Sequence, residues 1–339
     1  MNIESWDPHT ASEDELREVW EWACVVDRET DPDTPNEPFS LFRRGVLETS
    51  RFFEARRWLA RDESGIVGRA WLGLNRTENN RHLANFDIGV RADARRRGLG
   101  RELLRCIIDA AAADGRSTLS CGAPKDSPGE AFLAGCGMEH RLLDRRSRLR
   151  LDGVDQTMID GWVMDAKAKA SDYSLLLFES RIPDEHVEAF IEVGETMNDA
   201  PRDDLDMEDW HESVEEFNEG EDRFVARGNK RLLLVAVHNP TGQFAAFTGM
   251  NWEPDLPQLV WQGGTAVRRE HRGHAIGRWI KAANYNNLRE RNPSAEFIDT
   301  WNAGTNKWML AINDEMGFRP YIWYTARDAK IDVIKSALR

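Results

Sequence analysis

Apolar and polar positions follow one order twice along the chain. In the first half, residues 13–27 carry Leu16, Val19, Trp20 and Ala23 at helical spacing. Pro32, Pro35 and Pro38 then impose a loop. Residues 52–59 and 66–74 read as paired strands about the turn Asp62-Glu63-Ser64-Gly65. Residues 83–90 predict a further strand. The helix expected from Gly98 to Ala113 sets Leu99, Leu103, Leu104, Ile107, Ile108 and Ala111 on one stripe. A strand at 117–121, a short helix at 129–135 and a closing strand at 138–151 complete the half.

Residues 152–172 are polar and alanine-rich, so the domain boundary falls there. The expected organisation is a first module over 1–152, a linker over 153–172 and a second module over 173–339. The second half repeats the order: a helix at 183–197, a hairpin of 231–237 with 243–250, and a strand at 259–267. A helix at 276–288, a strand at 295–301, a helix at 306–315 and a strand at 321–326 follow. Residues 203–222 hold eleven acidic side chains in twenty positions. Within them Trp210, Val214 and Phe217 share a helical face, which predicts a helix over 207–217.

The repeat extends to a motif. Val90-Arg91-Ala92-Asp93-Ala94-Arg95-Arg96-Arg97-Gly98-Leu99-Gly100 returns 177 residues later as Val267-Arg268-Arg269-Glu270-His271-Arg272-Gly273-His274-Ala275-Ile276-Gly277. Each copy follows a strand and opens an amphipathic helix. Such a loop turns successive backbone N–H groups towards an anion, with the helix N-terminus behind them. Both halves then end their short helix on glycine and an apolar residue, Gly137-Met138 and Gly317-Phe318. A repeated motif, spacing and ending point to a duplicated fold.

Strand, R-x-x-[G/A]-x-G, helix, strand, short helix and a glycine ending together resemble the GCN5-related N-acetyltransferase (GNAT) superfamily in its tandem, two-module form. The resemblance implies an α/β (α+β) fold, with two modules each built on a mixed, mostly antiparallel sheet flanked by helices. It implies acetyl-CoA as cofactor. The diphosphate loops would be Arg95, Arg96, Arg97, Gly98, Leu99 and Gly100 in the first module, and Arg272, Gly273, His274, Ala275, Ile276 and Gly277 in the second. Val90 with Arg91, and Val267 with Arg268, would sit where the strand parts from its neighbour and can pair with pantetheine amides. Asn302 or Asn306 matches an asparagine that contacts the cofactor in the family. Ala275 stands where the first loop has Gly98, and alanine is tolerated there if its φ is negative.

The implied reaction is direct attack of a neutral amine on the thioester. An alkyl amine with a pKa near 10 loses about 4 kcal/mol at pH 7 unless a base assists. Asp87 is the carboxylate on the first module's strand, or else a salt-bridging strand residue. In the second module Glu253 and Asp299 are the nearest carboxylates, each with a structural role as the alternative. Many family members carry a tyrosine acid four residues before the final glycine. Here Leu133 and Asn313 stand there: leucine donates nothing, and asparagine donates a hydrogen bond but no proton. Tyr285, Tyr321 and Tyr324 are the candidates to replace that acid. The second module is the expected catalytic one, and the alternative is a lapsed acyl-CoA-binding sensor or interaction module.

The net charge of −14 argues against a general nucleic-acid binder and admits a cationic small-molecule amine acceptor. No apolar run is long enough to span a membrane and the first residues are polar and acidic, so a cytoplasmic monomer or homodimer without membrane partners is expected. Cys24, Cys106, Cys121 and Cys136 form no metal-binding pattern, so no metal is expected.

Overall fold

The computed structural model describes residues 2–339, with Lys167 described by its backbone alone. The first half contains β1 (Asn2–Ser5), α1 (Glu13–Thr30), α2 (Phe39–Leu47), β2 (Phe53–Asp62), β3 (Gly65–Asn75), β4 (Leu83–Val90), α3 (Leu99–Ala113), β5 (Thr118–Pro124), α4 (Pro128–Gly135) and β6 (Glu139–Arg150). The second contains α5 (Gln156–Lys169), β7 (Tyr173–Phe178), α6 (Asp184–Gly194), α7 (Val214–Ala226), β8 (Lys230–His238), β9 (Gln243–Trp252), β10 (Leu259–Val267), α8 (Ile276–Arg291), β11 (Phe297–Ala303), α9 (Lys307–Met316), β12 (Arg319–Lys330) and α10 (Ile331–Ala337).

Two compact units result, and they are not the two contiguous halves. The first takes the chain through Leu143, Asp203–Glu208 and Tyr324–Arg339; the second takes Asp144–Arg202 and Asp209–Trp323. Strand order is β1-β2-β3-β4-β5-β12 in the first and β7-β8-β9-β10-β11-β6 in the second. The final strand of each half therefore closes the other unit's sheet. Asp144–Arg150 pair antiparallel with β11, and Tyr324–Lys330 pair antiparallel with β5. The boundary expected at 152 thus moves to Asp144. Electrostatics favour this pairing: Asp299 on β11 is fully buried, and Arg146 and Arg148 of β6 are the cations that bind it.

Residues 153–172 are likewise no loose linker. Asp155 caps α5 by accepting from Thr157 and Met158 N–H, and Ile159 and Trp162 of this helix enter the second unit's core beside Tyr285 and Leu288 of α8. The helix expected at 207–217 starts later. Ser213 and Glu216 form a reciprocal capping box, so α7 begins at Val214, and Trp210 lies before it. In the first unit the predicted stripe of α3 is buried against Leu72, Phe86 and Leu119 of the sheet. No described helix is long and apolar enough to cross a membrane.

Candidate functional site

In both units one pair of parallel strands comes apart. β4 pairs with β5 over Leu83–Asn85 only, and β10 pairs with β11 over Leu259–Trp261 only. Beyond those points the ladders end, and the edges of 86–90 and 263–267 face an opening instead of a paired strand. Val90 and Val267 lie at its far end, beside the loops.

The loops are built alike. Arg91 N–H donates to Val67 O (3.0 Å) and Arg268 N–H to Ala245 O (2.9 Å). Arg95 Nε donates to Val90 O at 2.8 Å and Arg272 Nε to Val267 O at 3.0 Å. The same two guanidinium groups pair with Glu29 and with Asp199. Those arginines hold the loop to its own strand. Arg91 is also committed, to Asp93 (2.7 Å) and Ser64 Oγ (2.7 Å), and Arg268 to Phe244 O (2.7 Å) and Glu192 (3.0 Å). Arg96 and Arg97 remain exposed beside the turn. Neither α3 nor α8 has a side-chain cap, so their first-turn N–H groups stay open to an anion.

Alanine at 275 does not meet the expected condition. Its φ is +61°, and Gly98 at the matching position has +89°. The position two residues earlier compensates: Gly273 has φ +87° where the first loop has Arg96 at +63°. Each loop holds two left-handed residues, one of them glycine. The non-glycine residue costs about 1 kcal/mol in either copy. The loops differ in which position is relaxed, not in backbone course. His274 Nδ1 lies 3.4 Å from Lys169 O, and Ile276 is buried in the core with Ile280. His271 is packed under the loop, with Nδ1 2.8 Å from Tyr173 Oη and Nε2 3.0 Å from Gln243 Oε1; burial holds its pKa below the usual value.

The predicted catalytic residues scatter. Asp299 is 0% exposed and receives Arg146 Nε (2.9 Å) and Arg148 Nε (2.7 Å) and Nη2 (2.8 Å). A fully buried carboxylate enclosed by two guanidinium groups serves as their counter-ion. Glu253 follows β9 between Trp252 and Pro254, which line a cavity of about 400 Å³ with Lys230, Arg231 and Arg291. It lies at the end where β10 and β11 are still paired, about 10 Å or more along the strand from the opening. Asn306 caps α9, its side chain accepting from Met309 N–H (3.2 Å). Tyr285 is buried in the apolar core, which raises its pKa. In contrast, Asn313 and Asn302 meet: Asn313 Nδ2 donates to Asn302 Oδ1 at 2.8 Å. Asn313 is 0% exposed and its Oδ1 has no partner.

Asp87 lies on the freed part of β4, and its charge raises the pKa of two neighbours. Burial first, then Asp87 and Asp31, push Asp27 of α1 up against the opposing pull of Arg69. Burial, then Asp87, raises the Cys121 thiol. Asp27 went unnoticed in the sequence because it closes an ordinary amphipathic helix. Glu212 was hidden in the acidic run. Its segment is pinned by Asn198, which exchanges two 2.9 Å bonds with the Trp210 backbone. Burial, with Glu216 and Glu221 nearby, raises its pKa to about 7.

The fold recurs in known proteins. The model of the Acetyltransferase (GNAT) family matches residues 15–138. A tandem GNAT protein from the clavulanic acid biosynthesis pathway shares the fold over 97% of this chain and 99% of its own, at 23% identity and a TM-score of 0.78. A GCN5-related N-acetyltransferase from Sphaerobacter thermophilus does so over 97% and 96%, at 13% identity and a TM-score of 0.69. A GCN5-related glucosamine N-acetyltransferase region of a fungal multi-domain GH3 β-N-acetylglucosaminidase matches 97% of this chain and 38% of its own, at 14% identity and a TM-score of 0.67. No curated protein matches the sequence. Residues 15–138 of the first unit thus match the Acetyltransferase (GNAT) family model, and the tandem GNAT fold extends over both units.

Proposed function

We propose that the protein transfers an acetyl group from acetyl-CoA to the primary amine of a small acceptor, and that the second unit carries the reaction. The observation that carries this reading is the opening between β10 and β11, with an uncapped α8 N-terminus at one end. Acetyl-CoA supplies an activated thioester whose thiolate is a tolerable leaving group without a strong acid. Gly273, His274, Ala275, Ile276 and Gly277 would hold the diphosphate through backbone N–H groups, aided by the helix dipole at roughly 0.3–1 kcal/mol. The free edge of β10 through Val267 would bind the pantetheine arm, with Asn302 and Asn313 beside it.

Glu212 is the base candidate: Asn198 ties its segment to the 195–199 turn, which lies against β10, and a carboxyl near pKa 7 takes and releases a proton at neutral pH. The acidic residues of 209–222 favour a cationic acceptor. A second reading places the reaction in the first unit, and Asp27 beside Asp87 favours it.

The test is incubation of the full chain with acetyl-CoA and a panel of polyamines, aminoglycosides and basic peptides, read as thiol release and acetylated product. Product from at least one amine is expected. Acetyl-CoA binding with no product from any amine would overturn the reading in favour of a lapsed sensor.

A further inference from the structure

Counting along both strand pairs aligns the two units residue by residue. Leu83 pairs with Thr118 and Leu259 with Phe297, which sets Gln262 at the place of Phe86. Counting back from Val90 and Val267 sets Thr265 at the place of Ile88. The one-residue discrepancy is a bulge: the β9–β10 register shifts between Gln262 and Thr265, around Gly263-Gly264. The β3–β4 register has no such shift. By the same alignment Thr248 replaces Ala70 and Lys281 replaces Leu104. In the first unit Ala70, Phe86, Ile88 and Leu104 pack in one apolar core.

In the second unit the four are polar and joined. Lys281 Nζ donates to Gln262 Oε1 at 3.3 Å. Gln262 Nε2 donates to Gly249 O (2.6 Å) and Thr248 Oγ1 (3.1 Å), and the Thr248 and Thr265 hydroxyls lie 2.8 Å apart. Thr300 Oγ1 of β11 donates to Gln262 O at 3.2 Å, just past the last parallel pair. Lys281 is 1% exposed, and burial alone lowers its pKa to about 7. Such an amine opposes folding, and the first unit shows that the fold needs none there. A bulge leaves one residue outside the ladder and re-aims the backbone. This one lies where β10 leaves β11.

We propose that Lys281 is a positioning residue for acyl transfer: through Gln262 it fixes the Gly263-Gly264 bulge, whose unpaired backbone N–H faces the thioester oxygen. The proposal rests on the acetyl-transfer reading above. An N–H fixed before reaction stabilises the oxyanion that develops in the transition state.

The test uses the full chain with Lys281→Met, and with the first unit's residues installed together, Thr248→Ala, Gln262→Phe, Thr265→Ile and Lys281→Leu. For Lys281→Met, kcat for acetyl transfer is expected to fall at least tenfold with the KM for acetyl-CoA within twofold. Amide exchange at Gly263, Gly264 and Thr265 is expected to quicken at least tenfold. The fourfold variant is expected to melt no lower than the wild type and to turn over no acetyl-CoA. An unchanged kcat or unchanged exchange in Lys281→Met overturns the proposal, as does a drop in kcat that only tracks a fall in melting temperature. Exchange is read without catalysis. A wild type that acetylates no amine therefore removes the function reading, while the hold of Lys281 on the bulge is still decided.

Discussion

The two units share a loop and differ in the wall beside it. Arginine holds valine's carbonyl in both, both helices start without a side-chain cap, and both loops turn through two left-handed residues. Yet where the first unit has Ala70, Phe86, Ile88, Leu104, Ala123 and Leu133, the second has Thr248, Gln262, Thr265, Lys281, Asn302 and Asn313. Duplication supplies an internal control. The apolar set shows what the architecture requires, so the polar set reports what the site requires. Buried polar groups that a fold does without are costly, so their presence in one copy supports the proposed assignment of the reaction to the second unit.

The sharpest break in the comparison is Asp299→Ala against Ser120→Ala, its register mate. Removing Asp299 leaves Arg146 and Arg148 buried without their shared carboxylate, and unfolding by denaturant should show a loss of about 3–5 kcal/mol. Ser120→Ala should stay within about 0.5 kcal/mol. Equal effects would remove the electrostatic account of the strand exchange.

Lys281 gives the next largest effect, and its sign is fixed. Its pKa falls from 10.5 to about 7 on folding, so between those values the unfolded chain holds a proton that the folded chain has released. Stability from this group is present above pH 10.5 and is lost as pH falls towards 7. From pH 7 to 9 the wild type should gain about 2 kcal/mol relative to Lys281→Met. Parallel stability curves for the two would show that the lysine is not desolvated.

Asn313→Leu installs the first unit's residue. Acetyl-CoA affinity, measured by calorimetry, should weaken about tenfold, or about 1.4 kcal/mol, while the melting temperature moves little. Unchanged affinity would take Asn313 out of the cofactor's reach. The loops give the smallest effects. Ala275→Gly should stabilise the second unit by about 1 kcal/mol and Arg96→Gly the first by a similar amount, since each relieves a left-handed residue. A destabilising Ala275→Gly would contradict the positive φ.

Much of this was legible in the sequence. The strands at 83–90 and 259–267 appear with the expected bounds, because each is a short run closed by an arginine-glycine loop. The loop residues follow from the repeat itself. α5 was hidden by composition, although Ile159, Trp162 and Ala166 keep a helical stripe. The start of α7 was readable from Ser213-x-x-Glu216, a capping signature that the apolar spacing of Trp210 obscured. The exchange of β6 and β12 was not legible, because pairing between residues more than a hundred positions apart leaves no local trace. Nor was the buried network: a lysine on an amphipathic helix reads as solvated until the opposite strand is in place.

Titration of the full chain with acetyl-CoA, read calorimetrically for stoichiometry, tests the central claim most directly when repeated on Gly277→Trp and Gly98→Trp. A site that disappears with Gly277→Trp and survives Gly98→Trp is the predicted result. Binding that survives Gly277→Trp, or no heat at millimolar acetyl-CoA, would contradict the assignment of the reaction to the second unit.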